Sequence, residues 1–567
     1  MHRSRRWPAE RGAGGAKGDL MKQQMMRWGS LLLAAALCLG LMTGCNTADP
    51  QEESSDTLSS PSPTVSGTEA VPTSAETSDG TSATSAADGS GTQNSSQTTA
   101  AAAAGTTKMT QTTKTTKATA GTTRPAAVDK FDKPTVKNTA ALLNPMSSAA
   151  DAQADALRNK VLGARDQIKK GTGKTYYVSP KGDDNNDGLS AKTPKRTYSF
   201  GLQLRSGDAV LFERGGVYRT TIGAVSGVSY GAYGSGDKPC LYGSRENSAK
   251  TAWRKYADNI WESPQTYASD VGLVVFNHGE HAGAKETAIT KMSDKYDFTY
   301  ANGRVYIYSD KEPSGEFDSI EIGYNRPLIQ VGTGVHDVHI DNLTLKYTGG
   351  HGISCLDGVK NITITNCEIG WIGGSYLTGY KDGTARFGNG VEFWEGCDNV
   401  RVENCWIYQI YDTGLSHQGK QNSTVNKLTF KDNLVEYTSY NAIEYWSSGK
   451  MTNILYEGNI LRFSGYGWGE LNRPARQACT IGTAGADNRC ENFVIRQNVL
   501  DIAGIALFSV GSKAGTYPTL DGNTYIQTRR AFLGSFRGSQ KYTFGKEAET
   551  IIKNEFGDPD PKVIQAG

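Results

Sequence analysis

An excess of charge of one sign is missing from this sequence. Its 60 Lys and Arg nearly balance 58 Asp and Glu, for a formal net charge of +2. That balance removes the electrostatic reason to expect nucleic acid or an anionic membrane surface as partner. No CxxC pair occurs among the nine cysteines, which argues against a zinc ribbon or a thioredoxin-like motif. Residues 46–130 lack aromatics and consist largely of Ser, Thr, Ala and Gly. Such a segment cannot bury enough apolar surface to offset its chain entropy, so it is expected to be a disordered linker. What the chain has in abundance is Gly, at 66 residues, with frequent Tyr and Asn, a composition suited to strands and turns.

The N-terminus carries an address. Met21-Lys-Gln-Gln-Met-Met-Arg-Trp gives a short cationic start, and Gly29 to Gly44 is an apolar run of signal-peptide length, short for a spanning helix. Residues 1–20 precede a plausible start at Met21. The run ends in Met42-Thr43-Gly44-Cys45, which resembles a bacterial lipoprotein box, with Met42 where that pattern usually has Leu. The resemblance implies cleavage before Cys45 and lipidation of its thiol. The expected location is then extracellular, anchored to the outer face of the cytoplasmic membrane of a Gram-positive bacterium. Seven cysteines remain downstream, an odd number, expected to be mostly small core residues.

From about Val335 the chain repeats itself. An alternating strand, an Asn and a second apolar strand recur, with Asn342, Asn366, Asn404, Asn433, Asn459, Asn498 and Asn523 as the marks. Their separations are 24, 38, 29, 26, 39 and 25 residues. A solenoid of β-coils writes such a pattern, because each turn needs a residue tolerant of left-handed angles and Asn amides bond to the coil above and below. One coil cannot bury its own apolar face; stacking does so. From Thr175 to Gly567 the repeats resemble the right-handed parallel β-helix of the pectate-lyase-like superfamily. Thr175-Tyr-Tyr-Val-Ser-Pro-Lys-Gly and Gly207-Asp-Ala-Val-Leu-Phe resemble the opening strands of exported β-helix proteins.

The expected fold is therefore all-β, a right-handed parallel β-helix with an N-terminal capping helix and a small β-sandwich-like insertion. The chain divides into a signal at 1–45, a linker at 46–130, a helix at 147–170 covering the open end of the solenoid, and the start of the β-helix at 172–238. A β-rich insertion follows at 239–322, with Asn302-Gly303 as a hairpin signal. Coils with active-face loops fill 323–540, and 541–567 forms a C-terminal cap.

Two matched frames carry the chemistry: Asn389-Gly-Val-Glu-Phe-Trp394 and Asn441-Ala-Ile-Glu-Tyr-Trp446. Side chains alternate along a strand, so with Val391, Phe393, Ile443 and Tyr445 inward, Glu392, Trp394, Glu444 and Trp446 face out. Laying Asp412-Thr-Gly-Leu-Ser-His417 between them residue for residue puts Leu415 between the glutamates and His417 between the tryptophans. Asp412 then stands level with Asn389 and Asn441. Strands two apart are about 9.6 Å from one another. Carboxylates so placed suit glycosidic cleavage, and indoles suit sugar rings. An outward Glu on a solvated strand is ordinary; two in matched frames are less so.

Glu392, Asp412, Glu444 and His417 are the expected catalytic residues. Trp394, Trp446, Trp468, Tyr466, Arg473, His351 and Trp371 are the expected substrate-binding residues, several of them on insertions at 371–388 and 465–480. Gly350-His351-Gly352 resembles the GHG segment of polygalacturonases, whose Asp motifs and RIK motif are not in place here. Asp183, Asn185 and Asp187 match the first half of a calcium loop, but Pro194 stands where the closing Glu belongs. No cofactor is expected, with Ca²⁺ the one candidate. The expected function is a glycoside hydrolase acting on a polysaccharide or oligosaccharide. The alternatives are a polysaccharide lyase on the same fold and a non-catalytic glycan-binding lipoprotein. A monomer without nucleic acid is expected, joined to the membrane by its lipid.

Overall fold

The computed structural model describes residues 146–567, apart from 169–171, 199–201, 379–382, 421–422, 472–477, 530, 539 and 567. The signal, Cys45 and the linker lie outside the described residues.

Among the described residues the chain winds through three ten-stranded sheets, visited in turn by each coil. The first runs from Thr175–Val178 to Thr519–Asp521 and the second from Val217–Tyr218 to Lys562–Ala566. The third runs from Ile222–Ala224 to Tyr542–Thr543, and its last strand is its only antiparallel member. The other neighbours in these sheets pair in parallel. Inward residues of all three sheets, such as Ile364, Ile369 and Val391, meet in one continuous core. All-β architecture follows from the alternation: one face of each strand is apolar, and each coil covers its neighbour's.

The asparagine marks occupy two different places. Each coil passes from the first sheet to the second through two residues. The first of them is left-handed in every one of the seven coils: Asn342, Asn366, Asn404, Asp432, Gly458, Gln497 and Gly522, with φ from 52 to 67°. Asn fills it only in the first three. Asn433, Asn459, Asn498 and Asn523 take the second place, where they are fully buried. Left-handed geometry thus explains three marks, not seven. The other four are held by bonding: Asn459 donates from N and Nδ2 to Oδ1 of Asn498, at 2.9 and 2.8 Å, and Asn498 does the same to Asn523. The 29-residue step between Asn404 and Asn433 hides the change, since Trp406 pairs with Leu434 and the coil is 28 residues long (434 − 406).

Asp558 ends this ladder. Its carboxylate accepts from Gly522 N at 2.7 Å, from Asn523 N at 3.1 Å and from Tyr525 OH at 2.7 Å. Just before it, Ala548–Ile551 and Ile552–Phe556 form a short helix whose Ala548, Ile552 and Phe556 join the core at the last coil.

The N-terminal helix α1 (Asp151–Leu162) corrects one expectation. It does not cover the open end of the solenoid; it lies along the second sheet beside the middle coils. Arg158 stacks over Trp406 at 5.1 Å and bonds Glu436 at 2.9 Å. Asp151 pairs with the buried Arg462, and Ser148 donates to Asp501 at 2.6 Å. The outward row of the second sheet carries Glu436, Arg462 and Asp501, partnered by Arg158 and Asp151 of α1 and by Ser148 just before it, while Ala154 and Val161 pack on the apolar cluster of Trp406 and Leu434. Apolar spacing revealed that α1 has a face to bury, but not what it would meet.

Residues 244–324 leave the solenoid and form two small, mainly antiparallel sheets of four and five strands around Val271, Phe276, Phe298 and Ile307. The hairpin turns at Asn302-Gly303, both left-handed. The seven described cysteines are free, six of them buried.

The buried ladder should matter more than an exposed one. Asn453 and Asn492 form a similar bond on the outer face of the first sheet, in solvent. Asn498→Ala strips partners from Asn459 and from the Tyr456 carbonyl, and should lower the unfolding free energy by about 3 kcal/mol. Asn453→Ala should change it by less than about 1 kcal/mol. Urea titration of both variants measures the contrast.

Candidate active site on the third sheet

Backbone pairing sets the site. Val391 pairs with Leu415 and Leu415 with Ile443; Glu392 pairs with Ser416 and Ser416 with Glu444. The two glutamates therefore stand on one outward row, two strands apart, with Ser416 between them. On the next outward row Trp394, Gln418 and Trp446 align in the same way. The two indoles lean together over Gln418, with ring centroids 5.7 Å apart and planes at 81°.

The middle coil is one residue out of the expected alignment. Gly390 is level with Gly414 and Ala442, because Gly390 N donates to Thr413 O and Gly414 N to Asn441 O. A one-residue slip moves every side chain to the opposite face. Leu415 and His417 consequently point into the core. His417 is 0 % exposed, stacks on Tyr445 at 5.7 Å and bonds the Tyr456 hydroxyl at 2.6 Å. Burial pushes its pKa down to about 3. It is a core residue, not a catalytic one. The small residues held the signal: a Cβ on Gly390 would lie 2.5 Å from the Gly414 carbonyl oxygen, so these positions stack on one another.

Other expected positions are redistributed. Trp468 is buried against Tyr411, with its indole N–H donating to Gln409 O at 3.1 Å. Trp371 is left-handed, at φ 58°, and buried in the same cluster. Neither presents a face to a sugar. Tyr466 packs against the cluster of Tyr437, Phe463 and Ile502, on the side where Met146 lies. These aromatic side chains are spent on packing; Trp371 is one of several left-handed residues within strands of the second sheet, with Tyr347, Tyr437 and Phe463. Arg473 lies outside the described residues, as do Tyr380, Lys381 and Arg476.

His351 comes into the site. Its Nε2 lies 2.9 Å from Glu392 Oε2, and its Nδ1 accepts the backbone N–H of Asn389 at 3.0 Å. Phe387 meets the ring edge-on at 5.0 Å. Burial opposes a charge on this ring, yet the Glu392 charge and hydrogen bond, with the charge of Asp412, hold it above the ordinary imidazole value. Asp412 stands at the head of the middle strand, one residue before the level of Asn389, and is 9 % exposed. Glu392 itself is 8 % exposed.

Three residues of the site had no role assigned from the sequence. Asn389 donates from Nδ2 to Glu392 Oε1 at 3.1 Å and to Ser416 Oγ at 3.2 Å, and accepts from Thr413 N at 3.0 Å. Gln418 donates to Glu444 Oε2 at 3.1 Å and Thr413 Oγ1 to the same oxygen at 3.4 Å. A signal for Asn389 existed, since Asn opens both frames. Asn441 likewise accepts from the next coil, from Cys479 N at 2.9 Å.

The hairpin Ser375–Tyr376 and Arg386–Phe387 borders the site and joins it to the insertion. Arg386 donates to the Gly374 and Gly272 carbonyls and stacks on Tyr411 at 4.4 Å. Asp270 accepts from Tyr376 N at 2.7 Å and from Lys285 Nζ at 2.6 Å. Burial pushes Lys285 down to about 7, against the opposing charge of Asp270.

The half calcium loop does not fit a metal. Asp183 accepts from Asn185, and Asp187 from Leu189 N and Thr193 Oγ1. The ammonium of Lys195 donates to the Asp184 and Asn186 carbonyls, where a cation would take its backbone ligands. Asp183, Asn185 and Asp187 form an Asx-type turn with its own internal cation.

The family model described as right handed beta helix region matches residues 305–461. The fold is a right-handed parallel β-helix. No curated protein matches the sequence. Among solved structures, pectate lyase Pel9A is similar at 14% identity and a TM-score of 0.38, covering 66% of this chain and 74% of that one. The complex of XylC with xylose is similar at 12% identity and a TM-score of 0.35, covering 69% and 82%. The GH136 lacto-N-biosidase from Eubacterium ramulus is similar at 14% identity and a TM-score of 0.34, covering 70% and 68%. None of the three carries its activity over to this β-helix.

The inward placement of His417 has a pH signature. With a folded pKa of about 3 against 6.5 unfolded, the unfolded chain takes up a proton first as the pH falls. The contribution is fully present above pH 6.5 and is lost progressively below it, by about 3 kcal/mol at about pH 4. Unfolding titrations at several pH values should show this loss in the wild type and its attenuation in His417→Phe.

Proposed function

We propose that this protein is a carbohydrate-active enzyme, a glycoside hydrolase working on the outer face of the third sheet. The observation that carries the proposal is the shared outward row of Glu392 and Glu444, beside the Trp394–Trp446 pair. Two carboxyls separated by two strand spacings, about 9.6 Å at the backbone, leave room for a water between them. That separation supports an inverting displacement, in which carboxyls stand about 6.5–9.5 Å apart. One carboxyl protonates the leaving oxygen and the other takes a proton from the attacking water. The indole pair gives a sugar ring an apolar face beside the reacting bond.

The same proposal places the enzyme outside the cell, held through a lipid on Cys45 and spaced from the membrane by residues 46–130. Cys45→Ala should release the protein from the membrane fraction and abolish incorporation of labelled palmitate. Retention of both in the variant would overturn the anchor.

A reducing-sugar assay across a polysaccharide panel tests the activity. Glu392→Gln and Glu444→Gln should each lower kcat by about 10³-fold. Trp394→Ala should raise KM by roughly fivefold, the worth of about 1 kcal/mol of ring contact. Product released with ultraviolet absorbance would mark a lyase and overturn hydrolysis. Binding without cleavage, unchanged in both Gln variants, would overturn catalysis.

A further inference from the structure

We infer that His351 and Asn389 are positioning residues that hold Glu392 as the carboxylate that takes the proton from water; this rests on the hydrolase proposed above. Both oxygens of Glu392 accept N–H donors: Oε2 from His351 at 2.9 Å and Oε1 from Asn389 at 3.1 Å. A carboxylic acid presents one oxygen as a hydroxyl donor, whereas N–H groups facing both oxygens suit the carboxylate form.

The donors are themselves fixed. Nδ1 of His351 receives the Asn389 backbone N–H, so the neutral ring carries its single proton on Nε2, toward the glutamate. Phe387 packs on the ring, and Glu392 and Asp412 are the charged groups facing it among the described residues. The Asn389 amide is locked by Thr413 N and Ser416 Oγ of the following coil. The clamp therefore spans three successive coils, and Glu392 has little freedom to turn.

The step balances as follows. The oxygen of water bonds to the anomeric carbon while the glycosidic C–O bond breaks and its electron pair leaves with the departing oxygen. Glu392 takes a proton from the water, and Glu444 gives its proton to the departing oxygen. Solvent restores both carboxyls.

Kinetics of the full-length protein, with unfolding midpoints measured beside them, separate positioning from mere structure. His351→Phe removes the donor and should lower kcat by about 10²-fold with KM within about twofold. His351→Gln retains an N–H donor and should recover at least about tenfold of that loss. Hydrolysis that persists in His351→Phe but is lost in Glu392→Gln would overturn this inference alone. Hydrolysis intact in Glu392→Gln would overturn Glu392 as the base, and the absence of any reducing-sugar release by the wild type would overturn the hydrolase itself. A readout without substrate is the ¹⁵N imidazole titration. The His351 midpoint should fall in Glu392→Gln, because the raising charge is removed, and a midpoint that does not move would overturn the contact.

Discussion

Parallel pairing of Val391–Trp394, Leu415–Gly419 and Ile443–Ser447 is the constraint on which the site depends. Backbone hydrogen bonds between these strands hold residues 24 and 28 positions apart (415 − 391 and 443 − 415) in one line. That line places Glu392 with Glu444 on one row, and Trp394 with Trp446 close enough for their side-chain contact to form. The same bonds determine what lies between them: Ser416 and Gln418 outside, Leu415 and His417 inside. An outward row of Ser354, Glu392, Ser416, Glu444 and Gly482 follows, with the two acids flanked by small residues.

The asparagines of the buried ladder stay inside the solenoid because each finds a partner on the next coil. Asn433, Asn459, Asn498 and Asn523 pass hydrogen bonds from coil to coil and end at Asp558. A ladder of this kind satisfies donors that the turn would leave buried, and it rewards exact stacking of coils. Asn389 and Asn441 do the same on the third sheet, each accepting a backbone N–H from the following coil. Asn389 carries a further duty, since its amide also reaches Glu392. The scaffold and the candidate chemistry thus share one side chain.

Two attachments brace the solenoid on its flanks. α1 is tied to the second sheet by Arg158 with Glu436 and Trp406, and by Asp151 with Arg462. The insertion is tied to the hairpin beside the site through Asp270, Lys285 and Arg386. Gly272 permits the close approach, because a Cβ there would fall 2.2 Å from Ser375 N. These joints consume Trp371, Trp468 and Arg386, which is why these three present no face to a sugar.

By itself the sequence determined the repeat, the all-β class and the outward direction of Glu392 and Glu444. Alternation with period two and a mark in every coil are local properties, readable one segment at a time. It also contained the register, in the small residues Gly390, Gly414 and Ala442, but only for an alignment made on them rather than on Asn389, Asp412 and Asn441. Tertiary structure decided the rest. The face of His417, the partner of α1 and the burial of Trp371 and Trp468 depend on contacts between coils and between layers, and no spacing along the chain encodes a neighbour in space. The joining of His351 to Glu392 belongs to the same class: 41 residues separate them, and only adjacent coils bring an imidazole against that carboxylate.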